Sequence, residues 1–414
     1  MKRCWILLAM MGALTAPPAF GDAFDDAKKG EAARDAGDFA RAVRYYSRAI
    51  ESGELSGSNL AIIFNNRGES FRHNRQLSRA VRDYNQAIRL RPKYAFALNN
   101  RGFAFEGMGQ FDRAIQDYDQ AISFKPDFSA ALNNRGNAYI KKGRLKDAVK
   151  DFNQAIVLRP DYAFAFNNRG YTHKVMGQNS RAIEDFNRAI ELSPKFADAF
   201  INRGEVFEKD KKIGKALEDY SQAIRLRPNY GRALANRGGI LFARGLLDQA
   251  ANDLDAALRV DPELARAYLV RGLVLRKKGQ NKRAIDDFSH AIRLRPGDPV
   301  FFFNRGLEYE KGLFYDQAIK DYDRAIRLKP GYARALYNRG NTRLKQGRFE
   351  RAIDDYDRAI RLESKYAKAY GNRGHANEKL GRARRAFLDF KKTYELGLRP
   401  AWLIEKLRKK PEDG

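Results

Sequence analysis

The chain has 414 residues, 43% of them hydrophobic, and its 79 Lys and Arg exceed its 51 Asp and Glu for a formal net charge of +28. That apolar content excludes a disordered polyelectrolyte, and a single cysteine excludes a disulfide scaffold. The basic excess favours anionic partners such as lipid headgroups or acidic proteins. With no nucleic-acid-binding module in the chain, no nucleic-acid partner is expected.

Residues 1–21 read as a secretory signal. Lys2-Arg3 opens the chain, Cys4 to Ala13 is apolar but too short to span a bilayer, and Ala19-Phe20-Gly21 is a small-x-small cleavage site before Asp22. The pattern predicts cleavage after Gly21 and a periplasmic or secreted protein; an uncleaved N-terminal anchor is the other reading. Cys4 is the only cysteine, so the exported chain would rest on packing alone, with a net charge of +26 once Lys2 and Arg3 are gone. No other apolar stretch is long enough for a membrane span.

From Gly68 to Gly374 an Arg-Gly pair recurs every 34 residues, at Gly68, Gly102, Gly136, Gly170, Gly204, Gly238, Gly272, Gly306, Gly340 and Gly374. Twelve residues after each glycine comes an alanine, from Ala80 to Ala386, and four further on a bulky apolar residue such as Tyr84, Tyr118 or Phe152. Eight units end in proline, from Pro92 to Pro330. The apolar spacing is helical: Leu98, Gly102 and Phe105 fall at i, i+4 and i+7, and Ala114, Tyr118 and Ala121 repeat the pattern. Each unit is therefore predicted as helix A, a turn near Gly109-Gln110, helix B and a proline stop. Two helices cannot bury both apolar stripes alone, so stacked neighbours supply the core.

An earlier unit matches through Gly30, Phe39, Ala42, Tyr46 and Ala49, with four extra residues in the Gly/Ser-rich stretch 51–60, predicted as a longer surface loop. The predicted organisation is signal 1–21, then repeats 22–60, 61–94, 95–128, 129–162, 163–196, 197–230, 231–264, 265–298, 299–332, 333–366 and 367–400, then a capping helix and tail 401–414. In that tail Trp402, Leu403 and Leu407 are expected to cover the last helix B while the lysines face water.

On these residues the chain resembles tetratricopeptide repeat proteins, over about residues 23–400. The resemblance implies an all-α fold, a right-handed α-solenoid superhelix of about eleven 34-residue helix-turn-helix repeats. Two departures stand out. The Trp often found four residues before the glycine is here Phe, Leu or Tyr (Phe64, Leu98, Phe166, Leu234, Tyr370), and the Leu usually preceding the glycine is Arg. Every unit with that Arg carries Asp sixteen residues after it, as in Arg101 and Asp117, whereas the first unit has Lys29 and Tyr45. The joint change predicts a structural ion pair between helices A and B.

With the glycine at position 8 of each unit, positions 2, 6, 9 and 13 of helix A face away from the core stripe. The resemblance implies that this side lines a concave groove for polypeptides. Position 6 is Asn66, Asn100, Asn134, Asn168, Asn202, Asn236, Asn304, Asn338 and Asn372, broken only by Val270. Asparagine is a poor interior helix residue, and its amide can bond the N–H and C=O of an extended backbone. The row is similar to the asparagine ladder in the repeat superhelix of O-linked N-acetylglucosamine transferase; duplication of an Asn-Arg-Gly repeat would also produce it. Phe96, Phe103, Phe164 and Tyr171 make the early groove aromatic, while Arg232, Arg266, Lys277, Arg334, Lys345 and Lys368 make the late groove cationic. The expected partner is a protein or peptide, with an acidic segment among the candidates.

Residues for chemistry are scarce. His73, His173, His290 and His375 fall in separate units without metal-ligand spacing, and no thiol, phosphate loop or Ser-centred elbow is present outside the signal. No enzyme activity, metal or cofactor is predicted. Two functions fit: a scaffold holding an extended polypeptide in its groove, or a basic envelope-associated structural protein held by anionic lipid or polymer.

Overall fold

The computed structural model describes residues 21–408, with side chains from residue 23. The predicted signal, apart from Gly21, and residues 409–414 lie outside the described residues. Those described form 23 helices and no strand. The chain divides into two units, residues 1–206 and 207–414, each a stack of antiparallel helical hairpins of the tetratricopeptide-repeat solenoid type.

The sequence marks each element boundary by a physical cause. In repeat 95–128, helix A is Ala95–Gly107 and helix B is Phe111–Phe124, which stops two residues before Pro126. The turn between them needs a left-handed residue, supplied by Gly109 at φ 73°. Most repeats place glycine there, but Arg75, Lys211 and Leu313 adopt φ of 59°, 59° and 64° without its freedom. The glycine at position 8 has a different task. A Cβ at Gly102 would lie 2.8 Å from the Tyr118 ring, and one at Gly272 only 2.5 Å from the Phe288 ring. Its absence lets helix A press onto the fully buried aromatic of helix B.

The stretch 51–60 differs from its prediction. Only Ser52 to Ser56 form a loop, because Gly57–His73 is one 17-residue helix that starts a turn early. Leu55 is buried and packs with Ala49 and Ile63, an apolar anchor that outweighs the Gly/Ser composition.

The predicted ion pairs form, and they reach further than one hairpin. Arg101 donates through Nε and Nη2 to both carboxylate oxygens of Asp117, at 2.8 and 2.6 Å. Its third nitrogen, Nη1, crosses to Asn85 on helix B of the preceding repeat at 2.8 Å. The same three-way bond is made by Arg135 with Asp151 and Asp119, and by Arg169 with Asp185 and Asn153. Arg271 makes it with Asp287 and Asp255, and Arg305 with Asp321 and Ser289. Each arginine thus joins three helices across a repeat boundary, a task that needs a planar fork with five donors. In the first repeat Lys29 pairs instead with Asp25 on its own helix at 2.6 Å. Burial pushes the carboxyls of Asp117, Asp151 and Asp355 above their ordinary value despite the arginines. That desolvation offsets part of what the ion pair contributes, so the clamp adds less net stability than its short distances suggest.

At the C-terminal end, Ala401–Arg408 is a helix that packs Leu403, fully buried, against Ala386 and Phe390. Trp402 lies 4.5 Å from the His375 ring and 5.7 Å from Phe390. Lys406, expected to face water, pairs with Glu378 on the last helix A.

Candidate partner-binding face

In residues 1–206 the periodicity of helix A separates two sides cleanly. In Ala95–Gly107, Ala97, Leu98, Gly102, Ala104 and Phe105 are buried, Phe96 and Phe103 are 46% and 44% exposed, and Asn100 is half-buried. Phe164 repeats the position of Phe96 at 58% exposure. Phe96 packs on Phe128 with ring centroids 5.0 Å apart, and Phe164 packs on Phe196 at 4.9 Å. These two aromatic pairs are related by two repeats, with Ala130 at the intervening position. Cations flank them: the Arg72 guanidinium lies over Phe103 at 5.0 Å, and the Lys174 ammonium over half-buried Tyr171 at 4.6 Å.

The asparagine row is held laterally, between neighbouring A helices. Asn100 Nδ2 donates to Asn65 Oδ1 of the preceding repeat at 3.0 Å, and Asn134 to Asn99, Asn168 to Asn133 and Asn202 to Asn167 repeat that distance. Asn66 closes the start of the row by accepting from Asn65 at 3.2 Å. The partners are the buried asparagines at position 5, Asn65, Asn99, Asn133 and Asn167, which the sequence reading passed over. Their signal was in plain view: Asn-Asn-Arg-Gly occurs only in repeats 61–94 to 163–196.

In residues 207–414 position 5 becomes Ala235, Leu269, Phe303, Tyr337 and Gly371, so no asparagine stands there to accept a lateral bond from position 6. Asn304 and Asn338 turn Nδ2 back onto their own helix, to the carbonyls of Val300 and Arg334 at 2.8 and 2.7 Å. Asn372 donates to Asn341 Oδ1 at 2.8 Å and Tyr337 Oη at 3.1 Å, and Asn236 is half-buried. The predicted cations also divide. Lys345 pairs with Glu310 at 2.9 Å and Arg266 with Glu208 at 3.8 Å. These acids, with Glu106, accept the buried tyrosine hydroxyl of their own repeats, at 2.9 Å for Tyr322 and Tyr220 and 3.1 Å for Tyr118. Arg232 is half-buried, while Lys277, Arg334 and Lys368 are exposed. Arg334, Asn338 and Lys368 line one cavity of about 560 Å³ with Tyr337, Tyr366 and Leu398.

The histidines have structural surroundings. His73 stacks on Phe39 at 4.3 Å, His290 on Tyr268 at 4.9 Å, and His173 bonds Gln178 at 2.8 Å. Among the described residues no group of three or more His, Cys, Asp or Glu could hold a metal ion. No described helix is long and apolar enough to cross a membrane.

Comparison with known proteins follows the repeat. A tetratricopeptide repeat family model matches residues 95–128, 163–196, 197–230 and 333–366. A second, described as TPR repeat, matches 68–109, 136–177 and 315–347, and a third, again tetratricopeptide repeat, matches 236–299. Together they span well over half of the chain. No curated protein matches. Among solved structures, a tetratricopeptide repeat protein from Parabacteroides merdae ATCC 43184 is 20% identical with a TM-score of 0.51, covering 61% of this chain and 99% of its own. The APC/C hetero-tetramer Cut9-Hcn1 is 13% identical over 94% of this chain and 96% of that one, at a TM-score of 0.49. MamA is 28% identical over 40% of this chain and 96% of its own, at 0.35.

Proposed function

Since the chain belongs to the tetratricopeptide repeat family, whose fold commonly serves protein–protein interaction, we propose that it is a scaffold holding an extended polypeptide along its A-helix face. The observation that carries this reading is the row of exposed aromatics, Phe96, Phe103 and Phe164, on the solvent side of otherwise well-packed helices. Large rings left at that exposure are natural anchors for a partner's apolar side chains. Each position-6 amide nitrogen in repeats 95–128 to 163–196 keeps a second N–H beyond its lateral bond, available to a partner's backbone carbonyl. Residues 1–21 would send the scaffold out of the cytoplasm, and N-terminal analysis that finds Met1 on exported protein refutes that part.

A photo-crosslinking amino acid at Phe164, compared with one at Val157 on a helix B, tests the face. Val157 is 72% exposed, so access does not separate the two sites. Capture from Phe164 alone supports the reading, and capture from Val157 alone, or equally from both, refutes it.

The second reading, a basic protein held by anionic lipid or polymer, draws on the charge of residues 207–414, which hold 47 Lys and Arg against 28 Asp and Glu. Binding of that kind should fall steeply as salt rises, whereas a groove with apolar anchors should retain much of its affinity.

A further inference from the structure

The turns that join helix A to helix B make a second surface in residues 207–414, apart from the A-helix face. From residue 243 to 385 five such turns lie side by side, tied by contacts between neighbours. Lys278 pairs with Asp248 of the turn before it, and Lys311 reaches Asn281 at 3.3 Å. Arg348 lies 3.7 Å from Asp316, and Arg382 donates to Glu350 at 3.0 Å. We propose that this edge docks the protein on an anionic phospholipid bilayer, with Leu246, Leu313 and Phe314 entering the interface and the surrounding Lys and Arg meeting lipid phosphates. The proposal deepens the second reading above, attachment to anionic lipid, and rests on it.

Positive charge is concentrated on this edge. The turns 243–249, 277–283, 311–317, 345–351 and 379–385 hold 13 Lys and Arg against three acids, a net +10 out of the +19 of residues 207–414. The three acids, Asp248, Asp316 and Glu350, each already hold a cation of the next turn. Lys277, Lys282, Lys379, Arg384 and Arg385 are exposed and form no ion pair among the described residues. Each Lys or Arg held at an anionic membrane surface strengthens attachment by roughly fivefold. Between the last two turns a cavity of about 510 Å³ is lined by Gly347, Arg348, Phe349, Glu350, Arg351 and Leu380. Two guanidiniums beside an apolar wall suit a lipid phosphate and the start of its acyl chains.

The apolar tips favour a bilayer over a soluble polyanion. Leu313 and Phe314 are each more than half exposed, and Leu246, two turns away at the position equivalent to Phe314, is exposed as well. Folding gains little from Leu313, which holds a left-handed φ of 64° where most turns place glycine. Most turns then continue with Gln or a cation, as in Gly279-Gln280 and Gly347-Arg348. Tyr309 meets the Phe314 ring edge-on at 6.4 Å, which steadies the ring without covering it. Leu and Phe at such a turn gain by entering the acyl boundary, while flanking cations stay among the headgroups. A soluble polyanion offers them nothing to enter.

The test is sedimentation with phosphatidylcholine vesicles, with and without phosphatidylglycerol. It uses the chain from Asp22, so that apolar residues 4–13 cannot supply the attachment; the buried core of the repeats begins at Ala23. Binding should require phosphatidylglycerol. Leu313→Gly/Phe314→Gln writes the Gly-Gln of other repeats into this turn and should weaken binding roughly ten- to hundredfold. Lys282→Gln/Arg283→Gln should weaken it about tenfold or more. Arg293→Gln/Arg295→Gln removes the same charge roughly 15–20 Å away, at the far end of helix B Asn281–Leu294, and should change it less than about twofold. An NBD dye on Phe314→Cys should brighten on the vesicles, and one on Val260→Cys, at the end of a helix B, should not. Equal losses from the two charge variants make the attraction diffuse, which sinks the edge and leaves attachment to anionic lipid standing. A Leu313→Gly/Phe314→Gln variant that binds as the parent does, or a dye that brightens at residue 260 and not at 314, also overturns the edge. Failure of the parent to bind phosphatidylglycerol vesicles at low salt removes this proposal, and the lipid part of the second reading with it; binding to dextran sulfate would then assign the charge to a polymer.

Discussion

The arginine clamp predicts a specific coupling between Arg169 and Asp185. Arg169 donates to Asp185 through Nη2 at 2.6 Å and through Nε at 3.0 Å, and reaches Asn153 with Nη1 at 2.7 Å. The Asp185 side chain is 7% exposed and that of Arg169 is 22% exposed. Arg169→Leu restores the residue commoner in the family, yet it leaves a carboxylate buried without its counter-ion. A fully buried broken pair costs about 3–5 kcal/mol, and partial exposure of the arginine brings the expectation to roughly 2–3 kcal/mol. The lost inter-repeat bond to Asn153 lies within that figure. Asp185→Leu should cost less, about 1–2 kcal/mol, because the guanidinium keeps Asn153 and can reach water. The double variant should recover at least ~1 kcal/mol of the summed loss, since neither charge is then stranded. A repeat array does not unfold in one step, so the assay is native-state hydrogen exchange on peptides spanning residues 163–196. Additivity within about 0.5 kcal/mol would refute the coupling.

Three further outcomes follow from other parts of the fold. Asn133→Ala removes the acceptor of Asn168 at 3.0 Å and should cost roughly 1 kcal/mol, whereas Asn338→Ala, which loses only a bond within its own helix turn, should be near neutral; equal costs in a thermal melt would contradict the lateral role. Leu313→Gly should stabilise by roughly 0.5–1 kcal/mol, because Leu313 is held at φ 64° with its side chain 68% exposed; an unchanged or lowered Tm counts against it. Burial lowers the His375 pKa below its ordinary 6.5, so its contribution to holding the terminal helix is complete above pH 6.5 and is lost as the pH falls through the depressed value. Trp402 is the only tryptophan beyond residue 5 and packs on His375, so its fluorescence in protein lacking residues 1–21 should change on acidification and stop doing so in His375→Gln.

The repeat, its helices and its clamp are legible in the residues alone. Glycine at position 8, alanine at 20 and an aromatic at 24 are choices that only one hairpin packing can satisfy, because a Cβ at Gly102 would strike Tyr118. The joint change of Lys29 and Tyr45 in the first repeat marks the Arg–Asp pair in the sequence, since a paired charge cannot be lost singly without cost. Contacts between repeats were legible only in part. The third bond of each arginine, to the polar residue at position 25 of the preceding repeat, depends on how repeats are offset, which periodicity along one helix does not encode. The same limit applies to the site. Period placed Phe96, Phe103 and Phe164 on the side away from the core, where they are exposed, but it placed Asn202 and Asn304 there too, and stacking of neighbouring repeats buries both. It could not tell that Asn100 turns to Asn65, that Lys345 is neutralised by Glu310, or that Arg334 and Lys368 share a cavity with two tyrosines. Those facts belong to side chains 31 to 35 residues apart, brought together when one repeat stacks on the next, and only the tertiary structure fixes that offset.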